Sequence, residues 1–397
     1  MAALGLTATR RAVLWDQDRP LRLACGRALA PGEVAYETYG ELSAARDNVV
    51  VLCHALTGDA HAAGHHGDPA RRGWWDTLVG PGKAVDTERW FVVCANLLGG
   101  CAGTTGPSSL DPATGRAYGL RFPPLAVSDL VAVHRALLRQ LGVERVHAAI
   151  GGSLGGMQVL QWLLDAPGEV ERAVIVAASA RLSPQNLALS AVQRAAILSD
   201  PDFAGGDYAE GARAPEVGLA IARKLGHITY LSEAGMARKF ATVHDERVAP
   251  PMADARAWLA PRFDVERYLE HQADTFLDRF DALSYLYLTR VMDDSTRSPI
   301  ARPRVRRSRP GPAPAALVLS FDSDWRFPTP HTRFLAGELR CAGVAHVVER
   351  ELSSPWGHDA FLLEDVAYHA TVAAFLEGGP ITLAEGSPAG IAARDGR

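Results

Sequence analysis

The sequence predicts an α/β protein, with a mostly parallel central sheet, helices between its strands, and one helical cap (lid) inserted into the alternation. Three observations carry this. Apolar runs of strand length recur along the chain, amphipathic helical patterns lie between them, and one stretch of about 130 residues contains helical patterns but no strand run.

The strand runs are Asn48 to Cys53, Trp90 to Ala95, Val146 to Ile150, Ala173 to Ala178, Ala316 to Phe321 and His346 to Val348. Several are β-branched and apolar at successive positions, which suits strands covered on both faces. Val127 to Leu141 carries apolar residues at helical spacing, with Ser128 as its N-cap and Gly142 at its end. The interruption runs from 181 to 309, with helical patterns at Val217 to Leu225, Asp264 to Phe280 and Ala282 to Met292. It ends in a connector rich in Pro and Arg, residues 301 to 315, that reads as extended and solvated. The expected organisation is therefore core at 1–180, cap at 181–309, core again at 310–384, and a frayed tail at 385–397.

Composition excludes several classes. With 397 residues, 48% hydrophobic and 22% charged, the chain is neither disordered nor a coiled coil. A net charge of −4 steers it to neither nucleic acid nor an anionic membrane. No run approaches the ~18–20 apolar residues of a membrane span, and the first fifteen residues lack the order of a secretory signal, so the expected location is cytoplasmic. Five widely spaced cysteines without a CxxC pair read as reduced thiols.

The sharpest motif is AAIGGSLGGM, residues 148 to 157, in which Gly151, Ser153 and Gly155 form G-x-S-x-G between a strand run and a helical pattern. A serine at such a bend is held out at a helix N-terminus, with glycines where side chains would collide with backbone. Its hydroxyl needs a base and an acid to orient that base, in the chain order Ser, Asp, His. Asp322 and Asp324 both follow the ALVLSF strand, and His358 follows the last strand. Asp324 is preferred because it falls beyond the strand end, with Asp322 as the alternative. Acyl transfer also needs oxyanion donors: the N–H of Leu154, after the nucleophile, and the N–H of Leu56, in the HALTG turn after an early strand. His54 in that turn reads as structural. His61 and His65, four apart, could suggest a metal, but the glycine-containing loop explains them without one. Trp74 and Trp75 read as packing, and Cys94 and Cys101 as inert.

Seven segments taken together resemble the homoserine O-acyltransferases of methionine biosynthesis: CHALTGDAHAAG (53–64), GWWDTLVGPGKAVDT (73–87), NLLGGCAGTTGPSSLDPATG (96–115), GGSLGGMQ (151–158), ARKLGHITYLS (222–232), DSDWRF (322–327) and GHDAFLL (357–363). The resemblance implies an α/β-hydrolase fold and a triad of Ser153, Asp324 and His358. It also implies that Arg223 and Asp359 contact the amino-acid substrate, whose zwitterion offers each an opposite charge. It implies a homodimer, L-homoserine and acyl-CoA as substrates, and no metal or redox cofactor. Members use acetyl-CoA or succinyl-CoA. Arg326, two positions beyond the triad acid in a DWRF pattern like that of the succinyl-using branch, favours succinyl-CoA. Serine as acceptor, an esterase or thioesterase, and a silent binding protein on the same fold are the competing readings.

Overall fold

The computed structural model describes residues 4–208, 213–240, 255–295 and 313–379. Eight strands form the main sheet: β1 (Arg10–Trp15), β2 (Gly32–Tyr39), β3 (Val49–Cys53), β4 (Phe91–Ala95), β5 (Val146–Gly152), β6 (Val170–Val176), β7 (Ala315–Phe321) and β8 (His346–Leu352). Their order is β1-β2-β4-β3-β5-β6-β7-β8. β1 and β2, and β2 and β4, pair antiparallel, and every pair from β4 to β8 is parallel. All five residues of β3 are buried, as its unbroken apolar run requires, and each large side chain contributes ~1.5–3 kcal/mol by leaving water.

The helices are α1 (Val127–Gln140), α2 (Leu154–Asp165), α3 (Pro184–Leu198), α4 (Glu216–Tyr230), α5 (Glu233–Lys239), α6 (Ala255–Leu259), α7 (Asp264–Leu277), α8 (Ala282–Asp294), α9 (Thr329–Cys341) and α10 (Val366–Glu377). Between β6 and β7 the described residues hold helices α3 to α8 and no strand. The Pro/Arg-rich segment up to residue 312 and the tail from 380 lie outside the described residues. No helix among the described residues is long and apolar enough to cross a membrane.

Two expectations need correction. Ser128 does not cap α1: the N-cap position is Ala126, and the Asp129 carboxylate accepts the Ala126 N–H at 2.8 Å and the Ala24 N–H at 2.8 Å. An acid inside the first turn thus replaces a capping hydroxyl and also staples the N-terminal region to the helix. The antiparallel strands β1 and β2 were not foreseen, because their polar residues interrupt the apolar runs by which the others are recognised.

Candidate active site

The nucleophile bend is built by steric necessity. β5 ends at Gly152, and Ser153 takes φ 56° and ψ −123° before α2 begins at Leu154. A non-glycine residue in this region is strained, which the surrounding structure must impose. A Cβ at Gly155 would lie 1.9 Å from the Cys53 carbonyl oxygen, and one at Gly151 would lie 2.3 Å from Gly155 backbone. Only hydrogen fits at both, so α2 can approach β3 closely enough to present Ser153. The serine is buried, but its Oγ is not among the sealed polar atoms and takes no hydrogen bond from a described residue.

Across the sheet edge, Asp324 lies beyond β7 and His358 beyond β8. Asp324 Oδ2 meets His358 Nδ1 at 2.8 Å, both side chains buried. The other carboxylate oxygen, Oδ1, accepts the N–H groups of Arg326 and Phe327, each at 2.9 Å. With a carboxylate on Nδ1, the imidazole donates there and leaves Nε2 free to accept a proton. Asp322 is turned elsewhere: its Oδ1 accepts the Ser354 N–H at 3.0 Å. Gly357 precedes the histidine with φ +67°, and a Cβ there would strike the Leu231–Ser232 backbone, 2.6 Å from the Ser232 nitrogen. The cap therefore presses on the histidine turn. Phe361 joins that turn to the nucleophile bend: its ring lies 5.5 Å from the His358 ring and occupies the place of a Gly152 Cβ. No hydrogen bond joins Ser153 to His358 among the described residues, and in enzymes such contacts tighten as substrate binds.

The HALTG turn follows β3 beside the bend. The turn is closed by the Gly58 N–H on the Ala55 carbonyl, and among the described residues neither the Leu56 N–H nor that of Leu154, at the start of α2, has a backbone acceptor. His54 is structural, as its position suggested. Its Nε2 accepts the Leu97 N–H at 3.1 Å and its Nδ1 donates to the Ala55 carbonyl at 2.8 Å. That is a neutral imidazole, and burial pulls its pKa down.

Arg223, on α4, is half-buried. Its Nη1 donates to the Thr57 hydroxyl at 3.2 Å, and its guanidinium lies 4.5 Å from the Phe276 ring centre. Asp359 follows the histidine. Burial raises its carboxyl, opposed by the charges of His358, Arg223 and Lys239. Arg223 and Asp359 thus feel one another without forming an ion pair within 4 Å, so both remain available to a ligand. Arg326 is buried, donates from Nη1 to the Thr229 hydroxyl at 2.7 Å, and stands 5.6 Å over the Tyr230 ring. No carboxylate pairs with it among the described residues.

Three neighbours were not singled out from the sequence. Tyr230 lies 6.1 Å from the His358 ring, Arg279 donates to the Thr57 carbonyl at 2.9 Å, and Lys239 contributes to the field on Asp359. Tyr230 sits inside the ARKLGHITYLS segment, which was its only signal. Arg279 had none, since nothing local separates it from a solvated arginine.

The histidine-rich loop brings together a pair other than the His61 and His65 whose spacing could suggest a metal. His61 and His66, not His65, close on Glu37 of β2, at 3.1 and 2.6 Å. Their ligand-type atoms lie within 4.8 Å of one another, the arrangement a cation needs. The carboxylate, however, also accepts from Thr9 at 2.8 Å and Tyr39 at 3.0 Å, a hydrogen-bond set complete in itself. Burial pushes the Glu37 carboxyl up, but hydrogen bonds from His61, Thr9 and His66 and the His61 charge outweigh it and hold it at about 2. For His61, burial pulls the imidazole down, and the Glu37 hydrogen bond and charge more than reverse this, so its pKa is raised. The carboxyl's stabilisation holds above its ordinary value and is lost as pH falls through about 2. The imidazole's is complete below its ordinary value and is lost as pH climbs through the raised one. Thermal melts from pH 6 to 9 should therefore show wild-type stability declining on the alkaline side and the decline reduced in His61→Gln. Parallel curves for the two proteins would refute this.

Trp74 and Trp75 stack on each other, and their indole N–H groups bond to the Asp59 and Phe361 carbonyls, which is packing. All five cysteines are free. Burial raises the thiols of Cys94 and Cys101, which suits inert thiols.

The comparisons agree with this architecture. The alpha/beta hydrolase fold family matches residues 48–365. A homoserine O-succinyltransferase of Nocardioides sp. is 55% identical over 94% of this chain and 99% of that protein. A homoserine O-acetyltransferase of Rhodospirillum rubrum is 46% identical over 91% of each. The solved structure of esterase E22 superposes with a TM-score of 0.80 at 26% identity, covering 94% of this chain and all of that one. With a relative this similar over nearly its whole length, and with the bend, the sheet and the acid–imidazole pair in the arrangement described, the chain belongs to the homoserine O-acyltransferase family of alpha/beta hydrolase fold proteins.

Proposed function

We propose that the protein is a homoserine O-succinyltransferase, moving the succinyl group of succinyl-CoA to the side-chain hydroxyl of L-homoserine through an acyl-serine. Ser153 Oγ attacks the thioester carbonyl while His358 Nε2 takes its proton, and Asp324 steadies the resulting imidazolium. The N–H groups of Leu56 and Leu154 face the developing oxyanion. As the intermediate collapses, the C–S bond breaks and the imidazolium proton goes to the departing sulfur, releasing coenzyme A as the thiol. Homoserine then enters with its carboxylate toward Arg223 and its ammonium toward Asp359. His358 takes the proton of its hydroxyl, the oxygen attacks the acyl carbon, and the proton returns to Ser153 Oγ. The cap must exclude water for the alcohol to win over hydrolysis.

The single observation that carries the donor choice is Arg326. A buried guanidinium that meets one hydroxyl and no carboxylate among the described residues leaves charge uncompensated, and a buried charge is costly unless paired. A succinyl group brings the missing carboxylate and an acetyl group does not. Relatives with either donor in their names are close, so this side chain and not overall similarity supports succinyl. The test follows thiol release from each acyl-CoA with and without homoserine. Succinyl-CoA should be preferred, and Arg326→Leu should lower the succinyl-to-acetyl ratio of kcat/KM by about tenfold or more, the size of a charge-assisted hydrogen bond. An unchanged ratio discards the donor argument, and no homoserine-dependent release with either donor discards the transferase reading. L-Serine belongs in the same assay, because one methylene discriminates by only ~1–3 kcal/mol. The likeness to an esterase favours hydrolysis as a second reading, and p-nitrophenyl ester turnover outpacing acyl transfer would support it.

A further inference from the structure

Gln158, on α2, is fully buried at a position where an apolar side chain would carry no desolvation cost. Its Nε2 donates to two carbonyls, that of His54 at 3.1 Å and that of Leu154 at 3.2 Å. These acceptors lie in different segments: His54 opens the HALTG turn two residues before Leu56, and Leu154 is the first residue of α2. One amide therefore bridges the two stretches of chain that carry the Leu56 and Leu154 N–H groups. The segments already approach closely, since a Cβ at Gly155 would lie 1.9 Å from the Cys53 carbonyl oxygen and 3.2 Å from that of His54.

The orientation of that amide is imposed from α1. Gln158 Oε1 lies 2.8 Å from Nε2 of His134, which is itself buried. With the amide nitrogen committed to carbonyls, the oxygen can only accept, so His134 carries its proton on Nε2. Burial pulls this imidazole down to about 4, opposed by the Gln158 hydrogen bond, so the ring is neutral near neutral pH and has one proton to donate. Its Nδ1 has no hydrogen-bond partner among the described residues, and the ring lies parallel to Trp162 with centroids 6.2 Å apart. A reversed amide would set its oxygen against two carbonyl oxygens and its N–H groups against the imidazole N–H. On the turn side, the His54 ring is held by the Leu97 N–H and the Ala55 carbonyl, which leaves the residue little freedom to shift.

We propose that Gln158 is a positioning residue for acyl transfer: with its amide oriented by His134, it sets the separation of the Leu56 and Leu154 N–H groups so that both reach one oxyanion. It touches no substrate atom and acts through those two peptides. This rests on the oxyanion donors of the acyl-transfer reading given above. A glutamine that only fastens α2 to the sheet is the competing account, and it gives no preference for the tetrahedral state over the bound ground state.

The test uses the full chain with Gln158→Met, which keeps the length of the side chain and removes both donors. A short alkyl trifluoromethyl ketone is the probe. Ser153 Oγ adds to its carbonyl carbon, the hydroxyl proton passes to His358, and the ketone oxygen becomes an anion where the transition-state oxyanion would stand. Its Ki should rise about tenfold to a hundredfold in Gln158→Met, short of the roughly 10²–10³ that outright loss of a donor costs. The kcat/KM should fall by a similar factor with succinyl-CoA and with acetyl-CoA, leaving their ratio unchanged, because both pass through the same oxyanion. The Kd for coenzyme A, which forms no oxyanion, should stay within about twofold. An unchanged Ki, or a loss of coenzyme A affinity equal to that of the ketone, overturns the proposal. His134→Phe keeps a ring beside Trp162 and removes the N–H, and it carries the test if Gln158→Met does not fold. Its Ki should rise about threefold or more, the size of a modest hydrogen bond, with coenzyme A again unaffected, and no rise overturns the proposal. Failure of the underlying reading looks different: wild-type protein then releases no thiol with either donor in the presence of homoserine. If that protein hydrolyses esters instead, the ketone Ki should still rise in Gln158→Met, because hydrolysis passes through the same oxyanion. Wild-type protein that does not take up the ketone on Ser153 overturns the nucleophile and this proposal together.

Discussion

Ser153→Ala should abolish thiol release from either acyl-CoA, lowering kcat by about 10⁴-fold or more, because loss of the nucleophile leaves only binding and oxyanion stabilisation. The fold should be untouched. Ser153 Oγ takes no hydrogen bond from a described residue, and alanine is no more strained than serine at φ 56°. The thermal midpoint should therefore stay within a few degrees of wild type, which separates a chemical defect from an unfolded one. Mass spectrometry supplies the complementary result. Wild-type protein mixed with succinyl-CoA and no homoserine should carry a four-carbon diacid on the peptide containing Ser153, and the alanine variant should carry nothing. Activity in Ser153→Ala above about one per cent of wild type would remove the serine from the mechanism.

Asp324→Asn should lower kcat by about 10⁴-fold, since an amide facing Nδ1 holds the imidazole in the tautomer whose Nε2 already bears a proton. The substitution keeps an acceptor oxygen for the Arg326 and Phe327 N–H groups, so the loop should keep its shape. Asp322→Asn is the matched control. Its oxygen accepts one backbone N–H from Ser354, an interaction an amide oxygen preserves, so kcat should change by no more than about threefold. Equal losses in the two variants would mean that the carboxylates act by holding the loop and not by orienting His358.

The parallel part of the sheet was legible because β3 to β7 are covered on both faces, which writes itself into the chain as unbroken apolar runs. The cap helices α4 and α7 were legible for a related reason, one apolar face at helical spacing, and α8 as a largely apolar run buried on most of its sides. The antiparallel strands β1 and β2 were not, since polar residues interrupt their apolar runs and their partners are chosen by long-range pairing. Within the site, the nucleophile was the most local feature. Its glycines answer contacts made within four residues and with the adjacent strand, so the spacing, set between a strand run and a helical pattern, announced it.

By itself the sequence determined which stretches must be buried, where the chain must bend around Ser153, and in what order serine, acid and imidazole follow. Those are properties of neighbours along the chain and of the periodicity of single elements. Tertiary structure decided that Asp324 and not Asp322 faces His358, that Glu37 gathers His61 with His66, and that Arg326 is buried against Thr229 with no acidic partner among the described residues. Each of these is a meeting between groups 24 to 97 residues apart. Their direction is fixed by how β7, β8 and the cap helices pack, and a one-residue turn in any of those elements would send the same side chains elsewhere.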